Sequence, residues 1–302
     1  ASQAIEMDSS NRQAQIVYAR ALAALQGNDY GENHLRELIT AYPLIFEYRL
    51  ELGRLYLEDE KYNDAQVVFE QLLNIQEKPK EALIELGKVL TFKNEPAKAL
   101  EYYFRAAVFD PADVEPFFLA GRLLLGTGKP QQAKEQFERV IAINNNYPLV
   151  RYQIGLAELM LKNPKKALEQ ANEEKRINPK LSAPYTLAAE AYSEMKQFEL
   201  CAREYQQAIK LKPLGAEIYI KVAACYRKSG SFDSALSMLN IAAKTESGNP
   251  DIYKEQGALF ESRGDIAKAI QSYDQYFLLN PNAPDKALIE KRIQSLQNKG
   301  IR

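Results

Sequence analysis

The residue types that most often carry out catalysis or bind metals are scarce in this sequence. It contains one histidine, His34, and two cysteines, Cys201 and Cys225, among 302 residues. Structural zinc usually takes four Cys or His ligands, so this set does not make a convincing metal site. The sequence also lacks a nucleophile elbow and a phosphate-binding loop. We therefore expect no catalytic residue, no metal and no cofactor, and we interpret the chain as a protein that is not an enzyme.

The two cysteines both fall inside apolar helical patterns. Because free cysteine is among the most often buried residue types, this context favours two small core residues. A disulfide between Cys201 and Cys225 is the alternative, which the distance between their helices decides. His34 is expected on a solvated helix face.

Charge and hydropathy exclude several other classes of protein. The formal net charge is −1, from 39 Lys and Arg against 40 Asp and Glu. Nucleic-acid binding needs a basic stripe that neutralises phosphates, so no nucleic-acid partner is expected. No apolar run reaches the length of a transmembrane helix. A cytoplasmic location is favoured, and a periplasmic or membrane-associated one after removal of an N-terminal signal is the alternative.

Small residues recur at a constant interval and indicate the elements that position every other side chain. Four glycines lie 34 residues apart, and small residues continue the same step. This column consists of Gly53, Gly87, Gly121, Gly155, Ala189, Ala223 and Gly257. A second column consists of Ala65, Ala99, Ala133, Ala167, Cys201, Ala235 and Ala269. Such a period is the signature of a repeat protein, in which each unit buries its apolar face against its neighbours.

Each repeat carries the pattern of two helices. In residues 80–113, Leu83, Leu86 and Leu90 lie at helical spacing and predict a first helix. A second helix follows a turn and ends before Pro111, because the residue preceding a proline is displaced from helical geometry. Small residues at the eighth and twentieth positions allow close helix approach. Large residues at the fourth, eleventh and twenty-fourth positions fill the remaining space.

This pattern resembles the tetratricopeptide-repeat family, through residues such as Leu52-Gly53, Tyr56, Ala65 and Phe69. The resemblance implies an all-α fold, a right-handed superhelix of helix-turn-helix repeats. We predict an N-terminal extension over 1–11 and a capping helix and tail over 284–302, whose apolar stripe is Ile289, Ile293 and Leu296. The eight predicted repeats are 12–45 (degenerate), 46–79, 80–113, 114–147, 148–181, 182–215, 216–249 and 250–283.

Repeat 148–181 departs from the common pattern at three positions. Glu158 replaces the large residue at the eleventh position, Ala171 the aromatic at the twenty-fourth, and Glu174 the small residue at the twenty-seventh. Three departures in one repeat suggest a loosened joint or a groove for a partner. Sequence drift without function is the alternative.

Members of this family typically bind peptides or helices on the concave surface formed by the first helix of each repeat. By resemblance, the second, fifth, sixth, ninth and twelfth positions line that surface. Its charged candidates are Glu51, Arg54, Glu85, Lys88 and Arg122. These side chains either recognise a charged partner or pair with one another three residues apart. No repeat has the Lys and Asn pair of the family's chaperone-binding carboxylate clamp, so that mode is not expected.

Its apolar candidates are Phe118, Leu119, Leu149, Tyr152, Leu156 and Leu159. A contiguous exposed apolar patch on a protein usually marks an interaction site. The alternative is that some of these side chains contribute to packing between repeats.

The function that the sequence favours is a non-catalytic scaffold or adaptor that holds a partner protein. We expect it in a bacterial multiprotein assembly, such as a pilus, secretion, motility or envelope complex, by analogy at the level of the fold. The alternative is a self-assembling array, in which head-to-tail contacts between copies give a homo-oligomer.

Overall fold

A computed structural model of the chain describes residues 11–75, 79–213 and 215–300. Within these ranges the chain forms seventeen α-helices and no strand. They are α1 Arg12–Gln26, α2 Asn28–Ala41, α3 Phe46–Glu58, α4 Tyr62–Ile75, α5 Lys80–Phe92, α6 Pro96–Phe109, α7 Glu115–Gly126, α8 Pro130–Ile143, α9 Val150–Met160, α10 Pro164–Ile177, α11 Ala183–Glu194, α12 Phe198–Leu211, α13 Ala216–Lys228, α14 Phe232–Thr245, α15 Pro250–Arg263, α16 Ile266–Leu279 and α17 Lys286–Gly300. The predicted all-α fold, helix-turn-helix repeats followed by a closing helix, is confirmed.

The chain divides into two compact units, residues 1–150 and 151–302, called here the N-terminal and C-terminal units. The boundary falls at the start of α9, inside predicted repeat 148–181. The predicted extension over 1–11 lies outside the described residues except for Asn11, whose side chain caps α1 by accepting a hydrogen bond from the Ala14 backbone N–H at 3.0 Å. None of the described helices is both long and apolar enough to cross a membrane.

The glycine column marks the places where two helices of one repeat approach most closely. A Cβ added at Gly53 would lie 2.3 Å from the Phe69 ring, and one at Gly87 would lie 2.4 Å from the Tyr103 ring. Both rings are almost fully buried. In these repeats the aromatic ring at the twenty-fourth position occupies the space that a side chain at the eighth position would need.

The turns between paired helices share one conformational device. One residue in each turn has positive φ, a region that glycine and asparagine enter most easily. These residues are Gly27, Glu60, Asn94, Gly128, Lys162, Lys196, Gly230 and Gly264. Proline opens α6, α8 and α10, where its missing N–H leaves no helical hydrogen bond unmade.

The closing helix α17 packs as the sequence predicts. Ile289 and Leu296 are buried and join one hydrophobic cluster with Tyr273 and Tyr276 of α16, and Ile293 packs against it. This contact covers the apolar face of the last repeat, the role that a terminal helix has in a repeat array.

The irregular repeat in the C-terminal unit has a different core. The small Ala171 leaves space that Leu187 of α11 fills, since a Cβ at Gly155 would lie 2.3 Å from the Leu187 side chain. Glu158 and Glu174 are buried, and they accept hydrogen bonds from the side chains of Asn163 and Asn178 at 2.9 and 2.7 Å. The departures therefore build a buried, partly polar core, and these carboxylates do not line an open partner groove.

The cysteines are buried, but they are not free. Cys201 of α12 and Cys225 of α13 form a disulfide, with their Cα atoms 6.0 Å apart. The favoured expectation of two separate core residues is thus wrong, and the alternative holds. The equivalent positions in the N-terminal unit, Ala65 and Val89, belong to one apolar cluster. The disulfide joins two helices of successive repeats where that unit uses apolar packing alone.

His34 is not on a solvated face as expected. It is half-buried in α2, its ring meets Tyr18 edge-on at 5.1 Å, and its Nε2 lies 2.9 Å from the Gln15 side-chain oxygen. Burial lowers the pKa of His34, because a low-polarity environment disfavours the charged imidazolium. These contacts make His34 part of the packing between α1 and α2.

Candidate functional site

Four of the charged candidates form, with Arg20 and Glu115, a continuous chain of ion pairs that links successive repeats. In order, the groups are Arg20, Glu51, Arg54, Glu85, Lys88 and Glu115. Arg54 reaches Glu85 of the next repeat at 3.0 Å, whereas its contact with Glu51 in its own helix is 3.9 Å. The shorter contact joins the ninth position of one repeat to the sixth position of the next.

Burial decides how much of this chain is available to a partner. Glu51 and Glu85 are each only 5% exposed, and each faces two cations. A partner that used either carboxylate would have to displace those cations, leaving charges that are costly to expose or bury alone. The ion pairs therefore join successive repeats. The carboxylates of Glu51 and Glu85 are already paired within the chain, so neither is free to bind a charged partner.

Arg122 lies at the next ninth position and differs from Arg54 and Lys88. It is exposed, and it makes no ion pair with any residue that the structure describes. The ion pair between repeats 80–113 and 114–147 also differs from the earlier ones. The sixth position of repeat 114–147 is Leu119, so Lys88 reaches Glu115 instead, at 3.0 Å. The ion-pair chain thus ends where the apolar candidates begin.

The apolar candidates are divided between the two units. In the N-terminal unit Phe118, Leu119 and Leu149 are half-buried. The Phe118 ring lies 5.8 Å from Phe137 and 5.0 Å from Tyr147. Leu119 packs against the clusters formed by α5 and α6. Phe118 and Leu119 therefore contribute to packing, and all three side chains keep part of their surface accessible.

In the C-terminal unit Tyr152, Leu156 and Leu159 are also half-buried. They pack against a cluster of α10 and α11 that includes Ala167 and Leu187. The pKa of Tyr152 is raised, chiefly by burial and also by the negative charge of Glu190. Tyr152 therefore lies near the charge of Glu190 in the next repeat.

A recess of about 480 Å³ opens beside Leu159 in the C-terminal unit. Its walls come from three successive repeats and include Leu159, Glu190, Ser193, Tyr205, Lys221 and Ala224. Lys221 lies 3.1 Å from Glu190 and 3.0 Å from Glu217. The ninth and sixth positions are again linked, but with the charges reversed relative to the N-terminal unit. Burial lowers the pKa of Lys221, but the contacts with Glu217 and Glu190 together outweigh it, so the pKa is raised.

Among the residues that line this recess, Leu159 alone belongs to the candidates predicted from the sequence. The missed residues stand in the same columns, since Glu190 and Ala224 are ninth-position residues and Lys221 is a sixth-position residue. Applying the column rule to every repeat, rather than to its most apolar stretch, would have found them. Among the described residues, no group of three His, Cys, Asp or Glu side chains is placed to hold a metal ion.

One family of repeat proteins matches most of the chain. The tetratricopeptide repeat family matches residues 50–114, 118–182, 183–213 and 223–286. DnaJ homolog subfamily C member 3 of Gallus gallus is 23% identical over 236 residues, which cover 73% of this chain and 46% of that protein. Mitochondrial import receptor subunit TOM70 of Homo sapiens is 22% identical over 202 residues, covering 64% of this chain and 33% of the receptor. The chain thus spans less than half the length of these relatives.

Solved structures resemble the fold at low sequence identity. The APC/C hetero-tetramer Cut9-Hcn1 matches with a TM-score of 0.64 at 13% identity, over 87% of this chain and 52% of that one. A tetratricopeptide repeat protein from Parabacteroides merdae matches with a TM-score of 0.64 at 14% identity, over 83% of this chain and 98% of that one. Pseudomonas aeruginosa pilF matches with a TM-score of 0.60 at 19% identity, over 70% of this chain and 97% of that one. At these identities the likeness concerns the fold alone.

Proposed function

Because the chain belongs to the tetratricopeptide-repeat family, we propose that it is a non-catalytic scaffold that binds a peptide or helix of a partner protein. The proposed surface is the one formed by the first helices of the repeats. In the C-terminal unit it comprises Tyr152, Leu156, Leu159 and the neighbouring recess. In the N-terminal unit it comprises Phe118, Leu119 and Arg122, with Leu149 at its edge.

The observation that carries this proposal is the recess in the C-terminal unit. It is large enough for a small group of side chains, it has an apolar wall at Leu159 and Ala224, and it has charged groups at Glu190 and Lys221. Ligand sites commonly combine an apolar lining with a few polar groups that fix orientation. A partner segment with one bulky apolar side chain beside polar groups matches this lining.

The proposed setting in a bacterial multiprotein assembly rests on the sequence alone, and the comparisons add the fold but no partner.

Self-assembly is the second candidate function. It is favoured by the uneven charge of the chain, since residues 1–60 hold 10 acidic against 5 basic residues while residues 148–213 hold 8 against 11. Multi-angle light scattering over a wide concentration range separates the two, because an unchanging monomer mass excludes the array.

The binding surface is tested by capture of partners from an extract of the native cell. We expect Tyr152→Ala with Leu156→Ala to lose the partner that the wild-type chain retains. A second variant, Glu190→Lys with Lys221→Glu, keeps an ion pair but reverses its polarity, and it should also lose the partner.

A matched control is Val108→Ala, at a 78% exposed residue on α6. This variant should retain the partner. Circular dichroism must show that all variants keep their helix content. Undiminished partner recovery by both double variants would reject the proposed surface.

A further inference from the structure

The fourth position of repeat 46–79 differs from that of most other repeats, and an open groove lies beside it. Large apolar or aromatic residues occupy this position in most repeats, namely Leu83, Phe117, Tyr185, Tyr219 and Tyr253. Repeats 46–79 and 148–181 have an arginine there instead, and Arg151 is only 7% exposed whereas Arg49 is half-buried. Arg49 does not fill its position as an aromatic ring would, because its charged end keeps a polar contact with the preceding loop.

The Arg49 side chain is hydrogen-bonded to the preceding loop and lines one edge of the space between the helices. Its Nη1 donates a hydrogen bond to the Pro43 carbonyl oxygen in the loop before α3. A groove of about 430 Å³ remains between the second helices α2 and α4, with α3 as its floor. This volume lies within the range of about 300–1,000 Å³ that is typical of ligand pockets.

The groove, called here the α2–α4 groove, combines apolar walls with two arginines. Its apolar lining comes from Ile39 of α2, Leu52 of α3 and Val67 of α4. Val67 is 53% exposed, so the apolar wall is open to a partner. The cationic groups are Arg36 and Arg49, and Asp64 also lines the groove.

Neither of the two arginines makes an ion pair with any described residue, so both can bind a partner's carboxylates. Arg36 donates to the Tyr56 hydroxyl at 2.6 Å, a contact that uses one of its five N–H groups. Nearby carboxylates are engaged elsewhere, since Lys61 holds Glu32 at 2.8 Å and Asp59 at 2.7 Å. Residues 1–60 carry an excess of acidic over basic residues, so two uncompensated arginines in one groove are not explained by the local charge balance.

We propose that the α2–α4 groove is a second protein-binding site, which accepts a partner peptide carrying a bulky apolar side chain flanked by acidic residues. The apolar side chain lies between α2 and α4, against Ile39, Leu52 and Val67. The flanking carboxylates accept hydrogen bonds from Arg36 and Arg49. Guanidinium groups suit this role because their planar fork matches a carboxylate.

This site is independent of the proposed function. It is lined by fourth, seventh and eleventh positions of α3 together with second helices, whereas the proposed binding surface uses sixth, ninth and twelfth positions. The two sites therefore face different sides of a repeat, and loss of one leaves the other intact.

The test measures binding of a synthetic peptide, acetyl-Gly-Asp-Phe-Asp-Gly-amide, to the full chain by isothermal titration calorimetry. Two control peptides replace either both Asp by Asn or the Phe by Ala. We expect the first peptide to bind and each control peptide to bind at least about tenfold more weakly, a difference of ~1.4 kcal/mol. Higher salt should weaken only the peptides that carry carboxylates.

Arg49→Leu is the decisive variant, because it restores the residue type that Leu83 provides in the next repeat. We expect it to abolish peptide binding while raising the melting temperature, so loss of binding is separated from loss of folding. Arg139→Leu, at an exposed arginine of α8 that is likewise without an ion pair among the described residues, is the matched control and should bind as the wild type does.

Three results would each overturn the proposal. They are no binding of the acidic peptide to the wild-type chain at millimolar concentration, equal binding of the neutral peptide, and unchanged affinity in Arg49→Leu.

Discussion

The two units use the same repeat columns for different purposes. In the N-terminal unit the ninth and sixth positions of successive repeats are joined by buried carboxylates and cations, as in Arg54 with Glu85. In the C-terminal unit the same two positions make an apolar contact at one junction, between Leu156 and Leu187. At the next junction they form an ion pair in which the ninth position, Glu190, is acidic and the sixth, Lys221, is basic. One backbone geometry therefore accepts either an internal ion-pair chain or an open recess, and the side chains decide which.

The units differ as well in how successive repeats are held together. The C-terminal unit has a disulfide between α12 and α13 where the N-terminal unit has Ala65 and Val89. Because each repeat contacts only its neighbours, the stability of one junction can change without the rest of the array. The predictions below test these differences, beginning with the largest expected effect.

Removal of the disulfide should destabilise the C-terminal unit most. The bond spans 24 residues of sequence, and the chain-entropy relation assigns about 3.5 kcal/mol to a loop of this length. The variant Cys201→Ala with Cys225→Val reproduces the residue types of the N-terminal junction. We expect faster amide hydrogen exchange in α12 and α13, measured by mass spectrometry, and little change in α3 to α6.

A reducing agent should reproduce this effect in the wild-type chain and leave the double variant unchanged. Identical exchange in the wild-type chain with and without reductant would show that the disulfide does not stabilise this junction.

Substitutions in the glycine column should distinguish the two kinds of core. Gly53→Ala places a Cβ 2.3 Å from the Phe69 ring, and overpacking of this kind costs about 1–3 kcal/mol. Gly155→Ala meets the end of the Leu187 side chain, which can move to another rotamer more easily than a packed ring.

Urea denaturation followed by circular dichroism compares the two glycine variants. We expect the larger loss of stability for Gly53→Ala and a partial recovery on adding Phe69→Leu. An equal loss in both variants would mean that the irregular repeat is packed as tightly as the regular ones.

The smallest expected effects concern the ion pairs. Glu85→Gln removes a buried carboxylate that holds Arg54 and Lys88, and we expect a loss of about 1–2 kcal/mol. Glu190→Gln breaks a more exposed pair with Lys221, for which about 0–1 kcal/mol is typical. Urea midpoints at low and high salt measure both losses, and the reverse order would contradict an internal role for the N-terminal chain.

Much of the fold follows from the sequence, and the site follows only in part. The eighth and twenty-fourth columns predict hairpins because helix geometry is local and one repeat contains both partners, such as Gly87 and Tyr103. The boundaries of the eight repeats stay a prediction. The candidate surface is less predictable, because the sixth position is half-buried in some repeats, as at Leu119, and fully buried in others, as at Leu187.

The sequence by itself determined the repeat length, the pairing of helices and the closing stripe on α17. These depend on periodic patterns that any window of 34 residues contains. Only the tertiary structure decided that Arg54 pairs with Glu85 rather than Glu51, that Cys201 bonds to Cys225, and that Arg49 leaves a groove. The physical reason is that these contacts join residues of successive repeats or of a helix and its preceding loop. Their distances depend on how helices pack against each other, and helical spacing along one chain segment carries no information about that.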